Sequence, residues 1–175
     1  MSQKTLIWLI FLAGLLAYAV MFNDHFKTAD DLMTIVHNEN IRHFSRLPEI
    51  FGSSFFGTSS YYRPLVAFSH MLEYHLFGLQ AFFYYLTNLI LHLASALTIF
   101  FLMRLFFSKA VQAFCIALLF AIHPIHWEAV SNISGRAILL CGFFYLTHFY
   151  FSVYFISSRR KFILFFHWRL LLWLF

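Results

Sequence analysis

Gln80-Ala-Phe-Phe-Tyr-Tyr-Leu-Thr-Asn88-Leu-Ile-Leu-His92-Leu-Ala-Ser-Ala-Leu-Thr-Ile-Phe-Phe-Leu-Met103 carries no charge and is closed by Arg104 and Lys109. A helix of that length covers the ~30 Å hydrocarbon core of a bilayer. The stretch therefore reads as a complete transmembrane span. Asn88 and His92 stand four residues apart on one face of it, a spacing that suits hydrogen bonds to a neighbouring helix.

Working outward, Thr5 to Phe22 is a second uncharged run, preceded by Lys4 and followed by Asn23-Asp24. It reads as a retained signal anchor. A cleaved signal peptide is the competing reading, but the run is long for such a segment and lacks a small-x-small exit. Residues 110–123 return through the membrane and stop at Pro124, and residues 137–156 cross again before Arg159-Arg160-Lys161. Phe162 to Phe175 begins another apolar run with Arg169 inside it. As helix that run reaches only about 21 Å, so the chain reads as a fragment or a truncated product.

Composition agrees. The chain is 62% hydrophobic and 11% charged, whereas a soluble domain carries roughly 25% charged residues. The expected class is an all-α polytopic membrane protein, a single transmembrane domain over residues 1–175. The net charge of +5 is scattered, which excludes a nucleic-acid partner as its cause. Cys115 and Cys141 lie inside apolar runs and imply neither a disulfide frame nor a metal site.

Lys4, Arg104, Lys109 and the Arg159 cluster fall on one side if the spans alternate, and that side is expected to be cytoplasmic. The loop 23–63 and the segment His123 to Arg136 then share the extracytoplasmic side. That loop holds five of the seven acids, and its 52–60 end is turn-rich. Residues 64–77 are apolar but short and include His70, Glu73 and His75, as in an interfacial helix.

Three polar groups stand out. Thr28-x-x-Asp31 is a capping box, and the pair Asp30-Asp31 also suits a general base just outside a membrane span. Arg63, before Pro64, either snorkels to headgroups or grips a lipid-linked phosphate. In His123-Pro-Ile-His126-Trp-Glu128-Ala-Val-Ser-Asn132-Ile-Ser-Gly-Arg136, a continuous helix would align Glu128, Asn132 and Arg136 on one face. The His123, His126, Glu128 spacing matches no standard zinc motif, so no metal is assigned. No pattern calls for a cofactor.

Taken in order, Asp30-Asp31, Tyr62-Arg63-Pro64-Leu65, Phe77-Gly78-Leu79, Thr87-Asn88-Leu-Ile-Leu-His92, Leu119 to Val130 and Gly135-Arg136-Ala137 resemble one family. It is the transmembrane and tetratricopeptide-repeat-containing O-mannosyltransferases with their bacterial relatives, matched over about residues 5–161. The resemblance implies a C-type glycosyltransferase-like bundle in a bacterial inner membrane or the endoplasmic-reticulum membrane. It implies transfer of a sugar, mannose in this family, from a polyprenyl- or dolichyl-phosphate donor. The acceptor is then a Ser/Thr hydroxyl of a protein on the extracytoplasmic side. Asp31, or its neighbour Asp30, is implied as the base. Arg63, His123, His126, Glu128 and Arg136 are implied to frame the donor phosphate or to support the acidic loop. The implied partners are the lipid bilayer, the polyprenyl-phosphate sugar and the acceptor protein.

The chain departs from the family pattern at two positions. Ile138 stands where an acid usually follows the Gly-Arg pair, and Tyr85 stands where a His is common. The family's later spans and repeats lie outside this sequence. A degenerate, non-enzymatic membrane protein is the alternative reading. A transporter fits less well, because its sites lie near the midplane rather than in an acidic outer loop.

Overall fold

Ser2 starts the first helix by accepting a hydrogen bond from the Thr5 amide at 3.2 Å. The structure, a computed structural model, describes residues 1–23, 25–52 and 62–157. Asp24, Tyr61, most of the turn-rich 52–60 stretch, Arg159-Arg160-Lys161 and the last apolar run lie outside the described residues.

Among the described residues the chain is helical without strands. Helix α1 is Gln3–Tyr18, continued by a 3-10 turn at Ala19–Asn23. Next come α2 (Pro64–Phe77), α3 (Ala81–Phe106), α4 (Ala110–Ile122), α5 (Trp127–Ser131) and α6 (Arg136–Ser157). The described part of the acid-rich loop between α1 and α2 is a string of short turns, among them Ala29–Asp31, Glu39–Arg42 and Leu47–Gly52.

Three stretches are long and apolar enough to cross a membrane: Gln3–Phe22, Ala81–Phe106 and Ile133–Ser157. A fourth candidate is α4 joined to Pro124–Ser131 across a 44° bend. Pro124 causes that break, since its ring and missing N–H stop α4 from continuing. The protein is an all-α polytopic membrane protein. Trp8, Leu16, Ile90, Ile138 and Ile156 are exposed along these helices, as side chains facing lipid must be.

Helix α3 runs through the middle and packs against α1, α4, α6 and, at one end, α2 and α5. Small residues let the backbones approach, because packing rather than water exclusion drives association in lipid. Ala113, Ala117 and Ala121 of α4 are fully buried at a four-residue spacing. Gly14 of α1 lies so close to Leu93 that an added Cβ would strike that side chain.

Helix α2 begins with Pro64 at its first position and ends at Gly78, whose φ of +61° suits glycine. The Gly78 amide donates to the Tyr74 carbonyl at 2.8 Å, and the Tyr84 hydroxyl donates to the Gly78 carbonyl at 3.0 Å. This turn reverses the chain from α2 into α3. It brings the α2 side chains onto the end of α3 that also meets the acid-rich loop and the α5 turn.

Candidate functional site

The expected continuous helix through Glu128, Asn132 and Arg136 breaks in the middle. Helix α5 ends at Ser131, Asn132 is extended (φ −111°, ψ 129°), and Ile133–Gly135 forms a 3-10 turn before α6. Tertiary bonds explain the break. Asn88 Nδ2 of α3 donates to the carbonyls of Val130 at 3.3 Å and Asn132 at 2.7 Å. Gly135 packs on the Ala129 backbone, where a Cβ would collide with the carbonyl. Glu128 is therefore exposed, while Arg136 is fully buried.

Arg136 is the centre of the polar cluster. Its Nε donates to Asn88 Oδ1 at 2.5 Å, and Nη1 donates to Ser69 Oγ at 3.0 Å. Its Nη2 donates to Glu73 Oε1 and to the Tyr84 carbonyl, both at 2.9 Å. A guanidinium shielded from solvent needs such partners, because an unpaired buried cation is costly. One side chain thus joins α2, α3 and α6.

Glu73 uses its second oxygen, Oε2, to meet His70 Nδ1 at 3.2 Å. Burial pushes the Glu73 carboxyl up, but the bond to His70 and the charge of Arg136 outweigh it and hold the group below its ordinary range. Burial pushes the His70 imidazole down; the bond to Glu73 opposes this, Arg136 adds to it, and the net direction is down. Sequence reasoning gave His70 and Glu73 no role at this centre, while the hydrogen bond it expected from Asn88 to a neighbouring helix is the one with Arg136 of α6. The available signal was a Glu three residues after a His on an otherwise apolar helix.

Asp31 is fully buried. Its Oδ2 accepts from the Lys27 and Thr28 amides at 3.2 Å each, and Thr28 Oγ1 accepts from the Asp31 amide at 3.0 Å. These bonds form the capping box. The other oxygen, Oδ1, accepts from the Ser134 amide at 3.2 Å, across 103 residues of sequence. The acid-rich loop is thereby fastened to the turn that leads into Arg136. Tyr85 adds a second fastening, donating its hydroxyl to the His25 carbonyl at 2.8 Å.

Asp30, next door, is exposed, and its carboxylate accepts no hydrogen bond among the described residues. Its carbonyl receives the Thr34 hydroxyl at 2.7 Å, which fixes the local backbone. The two acids of the pair therefore face different surroundings. One is consumed by structure and the other is exposed.

The histidines form a separate aromatic group one turn along α3. His92 donates Nε2–H to the Ala121 carbonyl at 3.0 Å, and its ring lies 5.2 Å from that of His126. His126 lies 4.4 Å from Phe120, and Trp127 stacks on Tyr18 at 5.6 Å. His123 is exposed, with Nδ1 accepting from the Ile125 amide at 3.2 Å. Arg63 is half-buried at the start of α2. Loop, α2 and the 123–136 turn thus gather at one end of the bundle. Among the expected residues, Asp31 and Arg136 are both tied to the 130–134 turn, Asp31 by the Ser134 amide and Arg136 through Asn88.

Curated proteins resemble this chain. Protein O-mannosyl-transferase TMTC3 of Mus musculus is 35% identical over 127 residues, which is 69% of this chain and 14% of that protein. Protein O-mannosyl-transferase TMTC1 of Mus musculus is 37% identical over 127 residues, 67% of this chain and 14% of that protein. Protein O-mannosyl-transferase F38B6.6 of Caenorhabditis elegans is 35% identical, over 67% of this chain and 18% of that protein. The matched stretch is thus a small part of each relative's length. No family model matches the sequence, and no solved structure matches it.

Proposed function

Because the chain belongs to the protein O-mannosyl-transferase family of these relatives, we propose that its polar end is the acceptor-activating wall of a mannosyltransferase. The donor in this reading is a polyprenyl- or dolichyl-phosphate mannose in the bilayer. The acceptor is a Ser or Thr hydroxyl of a protein on the extracytoplasmic side. The bond between mannose C1 and the donor phosphate breaks, a bond from C1 to the acceptor oxygen forms, and the hydroxyl proton passes to a carboxylate.

The observation that carries this reading is the division of labour in the acid pair. Asp31 spends both oxygens on backbone amides of its own turn and of Ser134. Asp30 is held beside it with an exposed, uncommitted carboxylate. In this proposal Asp30 takes the acceptor proton and Asp31 positions it. A fixed carboxylate of this kind contributes rate through proximity and proton transfer.

Arg136 supports the acidic loop, since its guanidinium is consumed by Asn88, Ser69, Glu73 and Tyr84. Arg63, His123, His126 and Glu128 are the proposed surroundings of the donor phosphate. Arg63 there supplies fixed charge, and His123 presents a ring nitrogen at the exposed face. The mouth of the site, with Trp127 42% exposed and Ile125 75% exposed, suits a lipid-borne substrate arriving from the bilayer plane.

The test is donor discrimination by the intact membrane-embedded protein. Labelled mannose is expected to pass from polyprenyl-phosphate mannose to a Ser/Thr peptide, and not to the same peptide with alanine at those positions. Labelling from a nucleotide-linked mannose alone, with the lipid-linked donor inert, would overturn the proposed donor class.

A further inference from the structure

His70 lies in α2 with 1% of its surface exposed, and its Nε2 has no hydrogen-bond partner among the described residues. A leucine would fill the same space without burying an unsatisfied nitrogen, so the imidazole carries a desolvation cost that packing does not explain. Its other nitrogen begins a continuous line of bonds. His70 Nδ1 meets Glu73 Oε2 at 3.2 Å, and Glu73 Oε1 meets Arg136 Nη2 at 2.9 Å. Arg136 Nε meets Asn88 Oδ1, and Asn88 Nδ2 holds the carbonyls of Val130 and Asn132. Two residues further on, the Ser134 amide holds Asp31 Oδ1 at 3.2 Å.

We propose that His70 is a positioning residue of the transfer site, which through Glu73, Arg136 and the 130–135 turn keeps the Asp30–Asp31 turn in its working place. The proposal rests on the transferase reading above. Its chemistry requires one tautomer. Nδ1 faces a carboxylate and carries the proton, while Nε2 faces no acceptor and stays bare. A second proton at Nε2 would be a buried donor without a partner, and it would place a cation beside Arg136.

The groups that face this imidazole come from four elements. Glu73 lies on its own helix, Arg136 on α6 and Asp31 on the acid-rich loop, while the Tyr84 ring of α3 lies 5.8 Å away. Burial and Arg136 disfavour protonation, and Glu73 and Asp31 favour it; the balance lies toward the neutral ring. Acid that protonates His70 sets two cations against one carboxylate and pulls Glu73 from Arg136. The transfer rate therefore carries an acid limb that belongs to residue 70.

Two amide variants separate this role from simple space filling. The amide N–H of His70→Asn reaches to where Nδ1–H sits, and that of His70→Gln reaches to where Nε2 sits. In the intact protein with polyprenyl-phosphate mannose, His70→Asn is expected to keep most of the rate and to lose the acid limb. His70→Gln is expected to lower kcat about 10- to 100-fold with donor KM unchanged, the loss that slight misplacement of a reacting group causes. Amide exchange at Thr28 and Ser134 accelerates in His70→Gln and not in His70→Asn.

Equal rates in the two variants, or an acid limb unmoved in His70→Asn, would overturn the assignment while leaving the transferase reading intact. The exchange pattern without any mannose transfer by the wild type would keep the linkage and overturn the transferase reading instead.

Discussion

At Arg136 a guanidinium with no exposed surface meets Asn88, Ser69, Glu73 and the Tyr84 carbonyl. Removing one partner of such a pair leaves an uncompensated buried charge. Glu73→Ala is expected to cost about 3–5 kcal/mol, read as a lowered unfolding midpoint in nanodiscs. Glu73→Leu with Arg136→Met is expected to recover only part of that loss, because it removes the unpaired buried charge but strips Asn88 Oδ1 and His70 Nδ1 of their partners. The same residues set an acid sensitivity. His70 sits below its ordinary 6.5 and Glu73 below its ordinary 4.5 in the fold, so the unfolded chain binds more protons in both windows. Stability is expected to be level above about pH 6.5, to fall first where His70 takes a proton in the unfolded chain but not in the fold, and to fall further below about pH 4.5, where the same holds for Glu73. Unfolding midpoints of wild type and His70→Asn across that range check the first step. Of this cluster the sequence displayed Arg136 and Asp31, through a Gly-Arg pair and a capping box. Glu73 and Ser69 were hidden, because their meaning depends on a partner more than 60 residues away, and His70 is tied to that partner only through Glu73.

The helices themselves were legible from apolar runs alone, since a lipid-facing segment must satisfy its backbone internally. The 130–135 turn was not. Nothing local forbids a helix from continuing through Ser131-Asn132-Ile133; Asn88 captures the Val130 and Asn132 carbonyls and ends it. Gly135 belongs to the same event, because only glycine fits against the Ala129 carbonyl. Gly135→Ala is expected to displace this turn, lowering the unfolding midpoint and exposing the Ser134 amide to exchange. Gly142→Ala, within α6 and with open space around the added Cβ, is expected to be neutral or to gain up to about 1 kcal/mol. The capping box at Thr28 and Asp31 shows the opposite situation. Its spacing lies within four residues, so the sequence displays it directly, although its tie to Ser134 lies beyond any local pattern.

Over the whole molecule, α3 is the shared wall on which three polar features are hung: Tyr85 on the His25 carbonyl, Asn88 on the 130–132 turn, and His92 on the Ala121 carbonyl. One bundle end thereby collects the acid-rich loop, α2 and the bent α4–α5 connection. The central functional claim concerns the two acids that this assembly presents in unlike settings. Transfer of labelled mannose by the intact protein should be measured for Asp30→Asn and Asp31→Asn beside their unfolding midpoints. The account predicts that Asp30→Asn lowers kcat by about 10²- to 10⁴-fold at an unchanged midpoint, the range for a lost general base. Asp31→Asn is predicted to lower the midpoint as well as the rate. Transfer at the wild-type rate by a folded Asp30→Asn protein would contradict it.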